Sequence, residues 1–136
     1  MLTDFNRFFS GFQTAWKRSS IEEMEKLISK EYKAREVTGS SEIVDFGYEE
    51  SLKGWEQGFE YVKKHQGEWV FLGEKIIPLR ENEVMVVFWA TIKIGEEMKD
   101  SGHLFFDSFK KETHSSKWKL IRSYIEAGIP PLDLTK

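Results

Sequence analysis

A chain of 136 residues, 40% hydrophobic and 32% charged, has the size and balance of one globular domain, residues 1–136, and buries roughly two-thirds of its unfolded surface. The absence of cysteine excludes disulfides, zinc–thiolate sites and thiol nucleophiles. A net charge of −3, with no basic cluster longer than Lys17-Arg18 or Lys110-Lys111, argues against a nucleic-acid footprint.

Aromatic residues are abundant, with 11 Phe and 5 Trp. Ring area on that scale fits a heavy core, an aromatic-lined cavity or a buried partner surface. No apolar run approaches the length of a membrane span. Asp4, Asn6 and Arg7 interrupt the first Phe residues, so the N-terminus does not read as a secretion signal. A cytoplasmic protein is the expectation.

The first element is a helix over about 3–17, where Phe5, Phe8, Phe9, Phe12 and Trp16 share one face. Ser19-Ser20 interrupts it. Ser20 with Glu23 forms a capping box that starts a second short helix, with Ile21, Met24, Leu27 and Ile28 turned inward. Residues 30–37 alternate as a strand, placing Tyr32, Ala34 and Glu36 on one face. Residues 38–41 make a turn or loop. A third helix fills about 48–65, with Tyr48, Leu52, Trp55, Phe59 and Val62 at helical spacing. Asp45 precedes it, in a position suited to capping or turn formation. Gly54 and Gly58 lie on this helix, and each costs about 1 kcal/mol against Ala. They mark a close approach to the sheet or to a ligand, or a tolerated packing contact.

From Gly67 onward the period becomes two. Strands are expected over 69–79, 84–94, 99–111 and 117–127, separated by turns at 80–83, 95–97 and 113–116. The second of these is apolar on both faces. Val84, Val86, Phe88, Ala90 and Ile92 lie on one side, and Met85, Val87 and Trp89 on the other. Such a strand needs cover on both sides, and in a short chain a second subunit is the natural cover.

Helix, helix, strand, helix and then four antiparallel strands resembles the nuclear transport factor 2-like superfamily. The nearest likeness is to its SnoaL-like and ketosteroid-isomerase-like branch. Four segments carry the resemblance: Ala15-Trp16-Lys17 followed by a polar pair; Met24-x-x-Leu27-Ile28 before a strand; Gly47-Tyr-Glu-Glu-Ser-Leu-Lys-Gly-Trp55; and Trp118-Lys-Leu-Ile-Arg-Ser-Tyr124. The resemblance implies an α+β cone: three helices packed in a strongly curved antiparallel sheet, cystatin-like, with dimerisation through the convex sheet face. Functions on this fold run from isomerases, cyclases and dehydratases to noncatalytic binding and scaffolding, so fold alone does not choose among them.

Ketosteroid isomerase uses a carboxylate base and an oxyanion hole built from a Tyr and a protonated Asp. Carried over by the second-helix anchor, the base falls on Glu36, the tyrosine on Phe12, which has no hydroxyl, and the second donor near Phe105 or Asp107. A general base at Glu36 requires burial against rings to raise its pKa; otherwise it is a strand-end carboxylate paired with a Lys or Arg. His103 and Asp107 share one face of a strand but stand ~13 Å apart, so each would assist separately or serve as an ordinary strand residue. His65 and His114 sit near predicted turns, and no His-x-x-x-His spacing supports a metal. No metal or cofactor is expected. Ser and Thr nucleophiles lack a motif.

Phe12, Trp16, Tyr32, Trp55, Phe59, Phe105 and Tyr124 are the expected ligand-contacting residues, with packed core or subunit interface as the other reading. Arg122 and Tyr124 share a face of the last strand and belong either to an anion site or to a subunit contact. Three functions follow: a module binding a small apolar or aromatic molecule in the cone; an isomerase, cyclase or dehydratase with Glu36 as base and His103 or Asp107 assisting; and a dimeric scaffold.

Overall fold

The structure, a computed structural model, describes residues 2–131. Three helices, α1 (Thr3–Lys17), α2 (Ile21–Lys26) and α3 (Tyr48–Lys64), lie against one sheet. Its strands are β1 (Ile28–Val37), β2 (Ile43–Gly47), β3 (Glu68–Arg80), β4 (Glu83–Ile94), β5 (Glu97–Met98), β6 (Gly102–Lys111) and β7 (Trp118–Ile129). The spatial order is β2-β1-β7-β6-β4-β3, with β5 pairing β4 at its end. The class is α+β, as expected.

Two features differ from the sequence reading. Residues 43–47 form β2, antiparallel to β1, a strand that the sequence pattern did not mark. The sheet is also mixed, because β1 runs parallel to β7, with Glu36 beside Ile125. Parallel neighbours need a crossover connection, and the whole of α3 and the β3–β6 meander lies between these two.

Irregular pairings bend the sheet. On β3, Leu72 faces Trp89 and Lys75 faces Val87, so two residues oppose Phe88. Gly73, at φ 59°, takes the left-handed conformation there. On β7, Ile121 is an extra residue between Leu120 and Arg122, which face Phe109 and Ser108. This bulge reverses the parity of the strand. Trp118 and Leu120 point inward before it, and Ser123 and Ile125 after it.

α1 buries Phe5, Phe9, Phe12, Ala15 and Trp16 against the sheet. Asp4, in its first turn, accepts from Lys111 Nζ at 2.8 Å and Trp118 Nε1 at 3.3 Å, fastening the helix start to β6 and β7. The Lys111 bond, helped by that of Trp118, holds the Asp4 carboxyl down at about 2. At the start of α2, Ser20 Oγ accepts from Glu23 N at 3.2 Å. The Glu23 carboxylate turns instead to Arg18, so only half of the expected box forms. α3 begins with Glu50 accepting from the Gly47 amide at 3.1 Å. Its buried residues are only Ser51, Phe59 and Val62.

Part of the outer cover assigned above to a second subunit comes from the chain itself. Trp89 is fully buried, and its Nε1 donates to the Ile129 carbonyl at 3.0 Å. The Gly102 backbone presses on the same ring; a Cβ there would meet the Ala90 carbonyl and sit 2.9 Å from the indole. Ile77 and Tyr124 stay exposed on that outer face.

Candidate functional site

The narrow end of the cone is solid with rings. Phe109 lies 5.2 Å from Phe12 and 5.6 Å from Phe5, and Trp118 lies 5.1 Å from Phe5. Beyond Trp16 the filling stops, and a cavity of about 810 Å³ opens between α3 and the concave sheet. Trp16 closes its inner end, ringed by Trp55 at 4.5 Å, Phe71 at 4.8 Å and Phe105 at 5.3 Å. α3 supplies Ser51, Gly54, Trp55 and Gly58 as one wall. The sheet supplies Tyr32 and Glu36 from β1, Trp69 from β3, His103 and Phe105 from β6, and Ser123 and Ile125 from β7.

The two glycines of α3 have different surroundings. A Cβ on Gly58 would touch the Trp69 indole at 3.6 Å, whereas one on Gly54 would meet nothing within 4 Å. Gly58 is therefore the packing contact, and Gly54 leaves cavity space open. Trp69 is held in its wall by a hydrogen bond from Nε1 to Ser19 Oγ, 3.0 Å long.

A buried polar group lies behind the floor. Asp107 is 1% exposed, and its Oδ1 accepts from Ser123 Oγ at 2.7 Å. Its Oδ2 has no partner among the described residues. Burial raises the carboxyl to about 7, against the opposing pull of the Ser123 bond. Burial also pushes the nearby Tyr32 phenol up, and the charge of Asp107 adds to that.

Of the ligand-contacting residues expected from sequence, Trp16, Tyr32, Trp55 and Phe105 line the cavity. Phe12 is sealed in the ring-filled end. Phe59 lies buried against Trp55 and Trp69 rather than on the cavity wall. Tyr124 points the other way, 41% exposed on the outer face, donating to Glu126 Oε2 at 2.8 Å. Its direction follows from the Ile121 bulge, which sequence alternation does not reveal.

The three residues considered for catalysis do not converge. Glu36 is half-buried at the wall, His103 is exposed at the mouth, and Asp107 is behind the floor. In the pairing register Glu36, Ile125 and Phe105 form one cross-strand row, and His103 and Asp107 lie one inward position to either side of Phe105. Strand spacings then put both His103 and Asp107 about 12 Å from Glu36, Cα to Cα.

Several wall residues were missed. Ser123 was hidden by the bulge. Asp45, assigned to a cap or turn, sits on β2 and receives Arg35 through two hydrogen bonds of 2.6 and 2.8 Å. Trp69 and Lys99 were legible only as members of a strand. Among the described residues no group of His, Asp and Glu is placed to hold a metal ion, and no helix is long and apolar enough to cross a membrane.

No protein-family model matches the sequence, and no curated protein matches it. Solved structures do match the fold. A nuclear transport factor 2-like protein of unknown function from Shewanella oneidensis aligns with a TM-score of 0.68 at 18% identity, covering 93% of this chain and 99% of that one. A domain of unknown function with a cystatin-like fold from Nostoc punctiforme gives 0.65 at 15% identity, covering 98% and 78%. A putative calcium/calmodulin-dependent protein kinase II association domain from Xanthomonas campestris gives 0.66 at 13%, covering 93% and 87%. At these identities the likeness speaks to architecture: the chain has the nuclear transport factor 2-like, cystatin-like fold.

Proposed function

We propose that this chain is a small cytoplasmic protein that binds an apolar or aromatic molecule in the cone. The observation that carries this reading is the cavity of about 810 Å³ walled by Trp16, Trp55, Trp69 and Phe105. Small-molecule sites are apolar hollows of ~300–1,000 Å³ with a few polar groups. Burial there contributes about 25 cal/mol per Å² before the cost of association. Native mass spectrometry of freshly purified protein tests it. A retained small molecule is expected in the wild type and not in Gly54→Leu, whose side chain would occupy the open space. Retention undiminished in Gly54→Leu would overturn the reading.

A catalytic reading is favoured by one observation, the half-buried Glu36 carboxylate on the cavity wall. In that version Glu36 moves a proton on a bound substrate without help from His103 or Asp107, both too distant to share its proton. Once a turnover assay exists, undiminished rates in Glu36→Gln would remove this version.

A second copy of the chain is the proposed partner, docking on the outer sheet face. Ile77 and Tyr124 are exposed there beside half-buried Met85 and Phe106. Such a dimer also suits a scaffold role, of the kind the association-domain neighbour's name describes for that protein. Sedimentation showing only monomer at micromolar concentration would count against both.

A further inference from the structure

Four side chains of fixed charge line the cavity: Glu36, Asp45, Glu50 and Lys99. Three are exposed and already engaged. Arg35 clamps Asp45 at 2.6 and 2.8 Å. The Gly47 amide donates to Glu50. Lys99 Nζ donates to Tyr61 Oη at 2.9 Å and sits 4.6 Å from the centre of the same ring. Glu36 differs from them. It is half-buried, and among the described residues no cation or hydrogen-bond donor engages its carboxylate.

The rest of the inner wall is aromatic. Trp16 closes it among Trp55, Phe71 and Phe105, and its Nε1 is itself sealed away from the cavity, so Glu36 is the polar group there that is left for a ligand.

The Glu36 carboxylate and the Trp16 ring lie at opposite ends of one apolar span. Trp16 packs on Phe105 at 5.3 Å between ring centres. Glu36 stands two strands away from Phe105 in the same row, a backbone separation of about 10 Å. A fused aromatic ring with a short aminoalkyl arm has about this reach. The surrounding indole and phenyl faces also attract an ammonium group.

We propose that the cavity selects arylalkylamines, with the protonated amine paired to Glu36 and the ring held among Trp16, Trp55 and Phe105. This inference rests on the cavity being a ligand site, as argued above. Anionic ligands are disfavoured because Lys99, the single fixed cation of the lining, is committed to Tyr61 at the rim.

The test compares three probes that share one ring and differ in charge: 5-methoxytryptamine, neutral 5-methoxyindole and 5-methoxyindole-3-acetate. Each is titrated into the full chain by calorimetry at neutral pH. The amine should bind about tenfold more tightly than the neutral parent, the effect of one charge-assisted pair, and the acid should bind most weakly. In Glu36→Gln, with its thermal midpoint confirming the fold, the three affinities should fall within about twofold of one another. Equal or tighter binding of the acid, or a charge preference that survives Glu36→Gln, would overturn the proposal while leaving the cavity reading intact. Failure of all three probes to bind at millimolar concentration would overturn both.

Discussion

The two ends of the cone use the same sheet differently. At the narrow end α1 lies directly on the strands, and Phe5, Phe9, Phe12 and Phe109 fill the space between them. At the wide end α3 buries few residues, presents Gly54 where α1 presents rings, and stands off from the strands across the cavity. Interiors are close-packed, so one end holds the fold together while the other keeps a hollow. Stability and binding are thereby assigned to different helices.

The sharpest way to break this division is to truncate one ring at each end. Phe12→Ala removes a fully buried side chain and should cost ~3–5 kcal/mol in chemical denaturation. Trp55→Ala, half-buried on the cavity wall, should cost about 1–2 kcal/mol, since much of the ring faces existing space. Equal losses would mean that the wide end is as tightly packed as the narrow one.

Next in size is a pH effect at the cavity floor. The Asp107 carboxyl is raised from 3.8 to about 7 by burial. The native state therefore keeps a proton that the unfolded chain releases between these values, and stability falls as pH rises from about 4 through about 7. Asp107→Asn stays neutral and retains an acceptor for Ser123. Relative to wild type it should gain on the order of 2 kcal/mol on going from pH 5 to pH 8. Thermal midpoints of the two proteins against pH check this; parallel curves would place the carboxyl in contact with solvent.

Gly54→Ala should stabilise the chain by about 1 kcal/mol, through helix propensity with no clash, and a loss instead would mean that the cavity wall is tighter there. Smallest is Asp4→Asn at the narrow end. The Asp4 carboxyl is held at about 2, so its contribution is present above the ordinary carboxylate range and disappears as pH falls through about 2. The variant should show a flatter acid limb in a plot of thermal midpoint against pH. Because the group is solvent-exposed, the change should be slight.

Most of the fold was legible because long amphipathic periods survive tertiary context. The stripe from Phe5 to Trp16 and the alternation from Val84 to Ile92 each fix an element and its buried face. β2 was not legible, since exposed Ile43, Val44 and Asp45 carry little inward pattern. The site was read less completely. Parity along β1 placed Tyr32 and Glu36 correctly on the inner face, but the Ile121 bulge inverted β7, which hid Ser123 and misassigned Tyr124. Depth was also invisible: Phe12 and Trp16 share one stripe of α1, and only the sheet's curvature decides that one is sealed and the other borders the cavity.

The parallel pairing of β1 with β7 has a consequence for biosynthesis. The strand bearing Glu36 emerges from the ribosome well before β7, its inner neighbour. Such long-range pairing is slow to form, so until β7 has been made the β1–β2 hairpin has only a free edge to show. The pocket is thus assembled only once β7 is in place, and trimming β7 away should leave a nascent chain with neither floor nor binding capacity.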